Sequence, residues 1–247
     1  MDEGIKYYCD TLALPIIVKE YENEAQEAIK GKLSYQGYLY NLLKLQAVSR
    51  IENSVNAKIK KAKFPCIKTL EEFNFGFQPK MDEKLIRELC ELNFLNTGIN
   101  IIFVGPPGVG KTHLAIALGI LAAKKRKRVM FFTAEELSKN LLSAEFSNRV
   151  AEYIESLYRL DLLIIDELGY LELNKAAGAL FFKLISKKYE NGSIIITTNK
   201  PFEEWNEIFG ETVLASAILD RLLHHCHPFL INGKSYRMKE LFGKENS

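Results

Sequence analysis

One segment of the chain carries a complete phosphate-binding pattern, G-x-x-x-x-G-K-[ST]. It consists of Gly105, Pro106, Pro107, Gly108, Val109, Gly110, Lys111 and Thr112. The glycines let the backbone curl so that its N–H groups point at an anion, and the following helix adds its positive end. Lys111 supplies a point charge to the β- and γ-phosphates, and the Thr112 hydroxyl is placed to ligate Mg²⁺. The segment predicts a site for a nucleoside triphosphate and its metal ion.

Two carboxylates follow a second apolar run. Asp166 and Glu167 come directly after Leu162–Ile165, which has the composition of a buried strand. Because ligands bind at the carboxyl ends of strands in open α/β sheets, both acids are expected near the phosphate pattern. Asp166 would hold Mg²⁺, and Glu167 would orient and polarise the attacking water. The loop and the two acids together predict an ATPase with ATP and Mg²⁺ as cofactors.

A polar amide follows a third apolar run. Asn199 comes directly after Ile194–Thr198. Its side chain is expected to hydrogen-bond the γ-phosphate or the attacking water. The alternative is an Asx turn ahead of Pro201.

The elements that must position these residues alternate along the second part of the chain. Apolar, strand-like runs occur at Ile101–Val104, Val129–Thr133, Leu162–Ile165, Ile194–Thr198 and Phe229–Ile231. Helical stretches separate them, at Lys111–Lys124, at Glu135–Leu160 with a break, at Lys175–Tyr189 and at Thr212–His224. This alternation predicts an α/β fold, a parallel sheet flanked by helices on both faces.

The first part of the chain has the pattern of helices. We predict a small helical domain over residues 1–66, a connecting strap and helix over 67–98 with Asp82 as its N-cap, and the ATPase domain over 99–247. In the third helix one face carries Val48, Ile51, Val55 and Ile59. Arg50 and Lys61 lie nearly opposite, with Lys58 beside them. This basic face is either a solvated surface or one that contacts phosphates.

Composition restricts the class of protein. Hydrophobic residues make up 47% of the 247 residues and charged residues 26%, as in ordinary globular proteins. No apolar run approaches the ~20 residues that span a bilayer, and the N-terminal residues lack the order of a signal peptide. We expect a cytoplasmic protein without a membrane partner. The run from His224 to His227 is not expected to bind a metal, because adjacent side chains diverge.

Longer motifs resemble a known family. GPPGVGKTHLAIALG, LLIIDELGYL, IITTNKPFEEW and AILDRLLHH, in this order, are similar to the IstB-like family of AAA+ ATPases. This family includes the ATP-binding helper proteins of one class of bacterial insertion sequences and is related to the DnaC/DnaI helicase loaders and to DnaA. The resemblance covers about residues 12–240. It implies a P-loop NTPase fold of the AAA+ type.

The resemblance implies further roles for matching residues. Arg221 would be an arginine finger that reaches the γ-phosphate on a neighbouring subunit; the alternative is a helix arginine paired with Asp220 or Glu211. His113 follows the phosphate loop in the family's motif and is expected near the nucleotide. Arg237 belongs to a motif shared with the loaders and is expected to sense the nucleotide or a neighbouring subunit. Too few residues follow Arg221 for the helical lid of most AAA+ proteins, so no C-terminal lid domain is expected.

Basic residues elsewhere are candidates for contacts with DNA. Five consecutive cations, Lys124 to Arg128, lie between a helix and a strand, where they either stabilise the helix C-terminus or bind phosphates. Lys139 and Arg149 lie in the segment that, by resemblance, contacts DNA in the DnaA/IstB group. Contacts of this kind follow phosphates rather than bases.

The leading hypothesis is a transposition helper. ATP at subunit interfaces would promote assembly of a homo-oligomer on double-stranded DNA, which is then presented to a transposase. A helicase loader is the first alternative. A small-molecule kinase with the same loop and a scaffold that binds ATP without hydrolysing it are others.

Overall fold

The computed structural model describes residues 3–79, 81–189, 191–233 and 235–236. The chain divides into two compact units between Ala57 and Lys58. The boundary at residue 66 expected from the sequence stays a prediction. None of the described helices is long and apolar enough to cross a membrane.

The first unit contains α1 (Glu3–Thr11), α2 (Pro15–Lys30) and most of α3 (Tyr35–Lys61). Proline at the first position of α2 suits a helix start, since its missing N–H would have no partner there. The buried Gln46 side chain of α3 accepts from the Ile16 N–H at 3.0 Å. The Tyr38 hydroxyl donates to the Tyr21 carbonyl at 3.0 Å, so polar contacts join α2 to α3.

The apolar face of α3 is only partly covered. Val48 and Ile51 are 45% and 46% exposed, whereas Leu42 and Gln46 are the buried residues of this helix. Ile59 lies in the last part of α3, which belongs to the second unit, and packs against a buried cluster of that unit. The helical period is therefore present, but Val48 and Ile51 have few neighbours to cover them within a small bundle.

The second unit is built on a five-stranded parallel sheet, which confirms the predicted fold class. Its strands are β1 (Asn100–Val104), β2 (Val129–Thr133), β3 (Leu162–Leu168), β4 (Ser193–Thr198) and β5 (Cys226–Leu230). Their order in space is β2-β3-β4-β1-β5, and every pair is parallel. Strand β4 therefore lies between β3, which carries the two acids, and β1, which leads into the phosphate pattern. The carboxyl ends of all three meet at one edge.

Helices cover both faces of this sheet. They are α4 (Glu83–Leu89), α5 (Phe94–Thr97), α6 (Lys111–Lys124), α7 (Ala134–Phe146), α8 (Val150–Tyr158), α9 (Lys175–Lys188), α10 (Trp205–Phe209) and α11 (Thr212–Leu223), with short 3₁₀ turns at Phe75–Phe77 and Phe202–Glu204. One buried cluster contains residues of α4, α5 and α6, and the other contains residues of α7 to α11. Burial on both faces explains why the strands are continuously apolar.

Local signals set the helix ends. Asp82 accepts from the Leu85 N–H at 3.0 Å, which confirms it as the N-cap of α4. This helix ends at Leu89, and the chain turns at Leu92, whose φ is +64°. Thr133 and Glu136 form a capping box at the start of α7. The break expected between Glu135 and Leu160 is confirmed, between α7 and α8.

Helix α6 lies very close to the sheet at Gly119. A Cβ atom there would come within 2.6 Å of Ile164 Cδ1 and 2.7 Å of Phe64 Cε1. Glycine costs a helix about 1 kcal/mol relative to alanine, so close packing offsets an unfavourable propensity here. This contact helps to fix the helix that begins with Lys111.

We expect Gly119→Ala to lower the free energy of unfolding by roughly 1–3 kcal/mol, because overpacking outweighs the gain in helix propensity. Gly178→Ala in α9 is the matched control, since the new Cβ would lie no closer than 3.1 Å to Leu214. Chemical denaturation of both variants measures the difference. Equal stability of the two would contradict this account of α6 packing.

Candidate active site

The phosphate loop takes a conformation that requires its glycines. Gly108 and Gly110 have φ values of +81° and +103°. A Cβ on Gly108 would lie 2.1 Å from Ser235 Oγ, and one on Gly110 would lie 2.5 Å from a ring carbon of Phe73. Ser235 and Phe73 therefore leave no room for a side chain at these two positions of the loop. The loop is therefore held from two sides, in a curled form that L side chains would disrupt.

Lys111 is the first residue of α6 and its side chain is buried. Its ammonium donates to the carbonyls of Gly105 at 2.6 Å and Pro106 at 2.9 Å, both in its own loop. A buried ammonium is costly unless it is hydrogen-bonded and its charge is balanced. The helix N-terminus adds positive potential at the same point. The lysine and the loop together form a site for an anion.

Asp166 lies across the sheet edge from this loop, as predicted. Its Oδ1 accepts from the hydroxyl of Thr112 at 2.9 Å and from that of Thr197 at 2.5 Å. Burial raises the pKa of the Asp166 carboxyl, while these two hydrogen bonds and the charge of Lys111 act in the opposite direction. A cation beside the carboxylate would offset its desolvation. Thr112 and Asp166 thus bring together a hydroxyl and a carboxylate, the oxygen ligands that suit Mg²⁺.

Glu167 has a backbone conformation that is unusual for glutamate. Its φ is +61°, in the left-handed region that costs non-glycine residues of order 1–3 kcal/mol. The register of β3 against β4 shifts between Ile165 and Leu168, so Glu167 lies in a β-bulge. Asp166 is buried whereas Glu167 is exposed, and Glu167 lines the cavity that contains Lys111 and Thr112. The bulge therefore places two successive acids in different surroundings, Asp166 buried and Glu167 exposed.

A cavity of about 280 Å³ joins these residues to a group of aromatic side chains. Phe73 and Phe77 line it from the segment after α3, and Tyr236 lines it from the segment after β5. The rings of Phe77 and Tyr236 meet edge to face at 5.2 Å. His113 Nε2 is 2.7 Å from the Thr69 carbonyl oxygen, which ties α6 to the same segment. Aromatic faces next to a phosphate site can hold a nucleoside base.

Four residues of this site were not predicted from the sequence: Thr197, Phe73, Phe77 and Tyr236. The alternation of phenylalanines before Gln78 was visible, but the sequence does not show which cavity they line. The two threonines that end β4, Thr197 and Thr198, were only a weak sequence signal for a residue of the site. The register of β3 against β4 decides which of them faces Asp166.

Asn199 lies one residue beyond β4 and is not among the described residues that line the cavity. Its Oδ1 is buried and has no hydrogen-bond partner among the described atoms. The turn after β4 is closed instead by the preceding residue, Thr198, whose hydroxyl accepts from the Lys200 N–H at 3.1 Å. The role predicted for Asn199 at the γ-phosphate stays a prediction.

Arg221 lies outside the cavity of its own chain. Its guanidinium stacks over the Phe182 ring at 4.6 Å and donates to the Ala217 carbonyl at 3.1 Å. Glu211, one of its two alternative partners, pairs with Lys175 at 2.7 Å instead. Arg237 lies outside the described residues.

The predicted DNA-binding residues lie in separate elements. Arg50 is exposed on α3 and donates to the Ala13 carbonyl at 2.7 Å; Lys58 and Lys61 are near the end of the same helix. Lys124 is exposed at the end of α6, and the Lys125 ammonium donates to the Glu91 carbonyl at 3.1 Å.

The remaining basic residues have acidic or open surroundings. Arg128, last of the five consecutive cations, forms an ion pair with Asp161 at 2.9 Å. Lys139 pairs with Glu135 at 2.5 Å. Arg149 is exposed at the start of α8. Lys124 and Arg149 are therefore the more accessible candidates in the second unit.

Comparison with known proteins assigns the chain to a family. The sequence matches the family described as "IstB-like ATP binding protein" over residues 8–242. The chain belongs to this IstB-like family. It is 45% identical over 219 residues to an ATP-binding protein of insertion sequence IS21 from Pseudomonas aeruginosa, covering 89% of this chain and 83% of that protein. It is 41% identical over 240 residues to an ATP-binding protein of IS5376 from Geobacillus stearothermophilus, covering 97% and 96%.

The fold of this chain is similar to that of a solved structure. AMPPCP-bound DnaA from Aquifex aeolicus superposes with a TM-score of 0.56 at 22% identity, over 71% of this chain and 54% of DnaA. This similarity supports the AAA+ P-loop architecture. Because the family is an ATP-binding one, the loop and cavity are the candidate nucleotide site of this IstB-like chain.

We expect Asp166→Asn and Glu167→Gln to separate two steps in this IstB-like chain. Glu167→Gln should retain Mg²⁺-dependent ATP binding and lose at least roughly 100-fold in turnover, because an exposed acid at this position would act on water rather than on the metal. Asp166→Asn should bind ATP equally with and without Mg²⁺, because it loses the charge that holds the metal. Fluorescent-nucleotide titration and phosphate release measure both effects. An unchanged Mg²⁺ dependence in Asp166→Asn would contradict the assignment.

Proposed function

We propose that this chain hydrolyses ATP to ADP and phosphate in a Mg²⁺-dependent reaction. The observation that carries this proposal is the meeting of Thr112, Asp166 and Glu167 beside the ammonium of Lys111. Mg²⁺ would be held by Thr112 and Asp166 and would polarise the phosphates. Lys111 and the loop N–H groups bind and orient the phosphate chain.

Glu167 supports water as the acceptor. Its side chain is exposed on the cavity wall next to the phosphate site, so a water molecule can reach it. A carboxylate in this position can accept a hydrogen bond from that water and direct its lone pair at the γ-phosphorus. A kinase would instead need a pocket for a second substrate. Release of phosphate from ATP alone would exclude an obligate kinase.

We further propose that the protein assists transposition. Two of its relatives are named as ATP-binding proteins of insertion sequences, and one of them spans nearly the same length as this chain. In this proposal ATP lies between adjacent copies, and the oligomer assembles on double-stranded DNA. The assembly presents that DNA to a transposase, and hydrolysis of ATP releases or remodels the complex.

Arg221 supports an ATP site shared between copies. Its side chain is held against Phe182 rather than in the cavity of its own chain, so the site of a second copy is the one it can complete. An arginine that acts from a neighbour stabilises the charge on the transferred phosphoryl group and accelerates hydrolysis by orders of magnitude.

A helicase loader is the alternative, because it would share the same ATPase core. The partner distinguishes the two: a loader binds a replicative helicase, whereas a transposition helper binds a transposase. Co-purification with either protein separates the alternatives.

Electron microscopy with ATP, with and without duplex DNA, tests the assembly. We expect oligomers that surround or line the duplex in the presence of both. Monomers in both samples would contradict the shared site and the helper function together.

We expect Arg221→Ala to reduce ATP turnover by about 10³-fold, in line with the loss of other arginine fingers. Mixing it with Glu167→Gln should restore measurable activity, because the second variant supplies an intact finger to the intact site of the first. The control is a mixture with the double variant Glu167→Gln/Arg221→Ala, which supplies no finger. Absence of recovery in the first mixture would contradict action between copies.

We expect Lys124→Ala/Lys125→Ala to weaken duplex binding and to reduce the slope of log K against log salt by about 1 to 2, because each lost phosphate contact removes about one unit. Lys84→Ala/Lys183→Ala removes two exposed lysines elsewhere and serves as the control. Fluorescence anisotropy at several salt concentrations measures both. An unchanged slope in the first variant would exclude this end of α6 as a DNA contact.

A further inference from the structure

One buried hydroxyl connects the two acidic residues of the active site. Thr197 is 1% exposed and lies near the end of β4. Its Oγ1 donates to Asp166 Oδ1 at 2.5 Å and accepts from the Glu167 N–H at 3.0 Å. A hydroxyl has one hydrogen to donate, and here that hydrogen is directed at the carboxylate.

The β-bulge explains why this hydroxyl is needed. Ile165 pairs with Ile196 and Leu168 pairs with Thr198, so Asp166 and Glu167 together oppose the single residue Thr197. A bulge interrupts the ladder of backbone hydrogen bonds and leaves its extra residue without a regular partner. The Thr197 side chain takes the place of the missing acceptor for the Glu167 N–H.

The same contact stabilises an unfavourable backbone conformation. Glu167 has φ +61°, and such a conformation persists only where its surroundings hold it. The hydrogen bond to Thr197 fixes the peptide plane from which the Glu167 side chain leaves toward the cavity. At its other end, Thr197 holds one oxygen of Asp166 in the orientation that faces Thr112.

We propose that Thr197 is a positioning residue that couples the orientation of the Asp166 carboxylate to the direction of the Glu167 side chain. This inference rests on the proposed ATPase function and goes beyond it, because it assigns a role to a residue that belongs to no phosphate-binding motif. Partners behind a metal-binding carboxylate orient it and tune its metal. Here one such partner also sets the position of the acid that acts on water.

The coupling predicts a specific kinetic effect. Removal of the hydroxyl should leave ATP binding nearly unchanged, because the loop and Lys111 are not altered. It should lower kcat, because both acids lose their alignment and a misplacement of about 1 Å costs on the order of 10²-fold in rate. We expect kcat to fall about 10- to 100-fold in Thr197→Val, with KM for ATP within about threefold of the parent.

Three further variants separate positioning from structural damage. Thr197→Ser retains the hydroxyl and should restore kcat to within about threefold of the parent. Thr197→Ala removes the hydroxyl without placing a methyl group against Asp166 and should show the same loss of kcat, so it replaces Thr197→Val if that variant does not fold. Thr198→Val removes the neighbouring buried hydroxyl, which accepts from the Lys200 N–H, and should leave kcat within about twofold.

Hydrogen exchange of the nucleotide-free protein gives a second readout that does not depend on turnover. The amide of Glu167 should be protected in the parent, in Thr197→Ser and in Thr198→Val. It should exchange at least about tenfold faster in Thr197→Val and Thr197→Ala, because its acceptor is gone.

The outcomes are distinct. Loss of kcat and of amide protection in the two variants without the hydroxyl, with recovery in Thr197→Ser, supports the coupling. Turnover within twofold of the parent in Thr197→Val or Thr197→Ala, or an equal loss in Thr198→Val, overturns it. If the parent protein releases no phosphate from ATP, the proposed function fails instead, and the exchange measurement alone decides whether Thr197 holds the Glu167 backbone.

Discussion

The hydrogen bonds that converge on Asp166 Oδ1 join the three parts of the candidate active site. Thr112 reaches this oxygen from the start of α6, and Thr197 reaches it from β4. The strand order makes this possible, because β4 lies between β3 and β1 and its end faces both the acid and the phosphate loop. The apolar strands and the close contact at Gly119 serve to hold these ends in register.

Much of this arrangement could be predicted from the sequence, since it depends on local patterns. The bounds of α6 and β2 and the proximity of Thr112 to Asp166 are confirmed. The position of Thr197 beside Asp166 could not be foreseen. Its contact with Asp166 depends on a register shift that no spacing within β3 or β4 reveals.

Other residues depend on long-range packing. The phenylalanines of the cavity and Tyr236 meet only because segments far apart in the chain fold over the same loop. The apolar face of α3 also depends on long-range packing. A helical period identifies a face, but Val48 and Ile51 show that it does not determine whether a neighbour covers that face.

The account as a whole requires that the phosphates, rather than the base alone, provide the binding energy. Calorimetric titration of the protein with ATP, ADP and adenosine in the presence of Mg²⁺ tests this requirement most directly. We predict that ATP and ADP bind, and that adenosine binds at least about 100-fold more weakly, a difference of about 2.8 kcal/mol. Adenosine binding as tightly as ATP would contradict the assignment of Lys111 and its loop as the anion site.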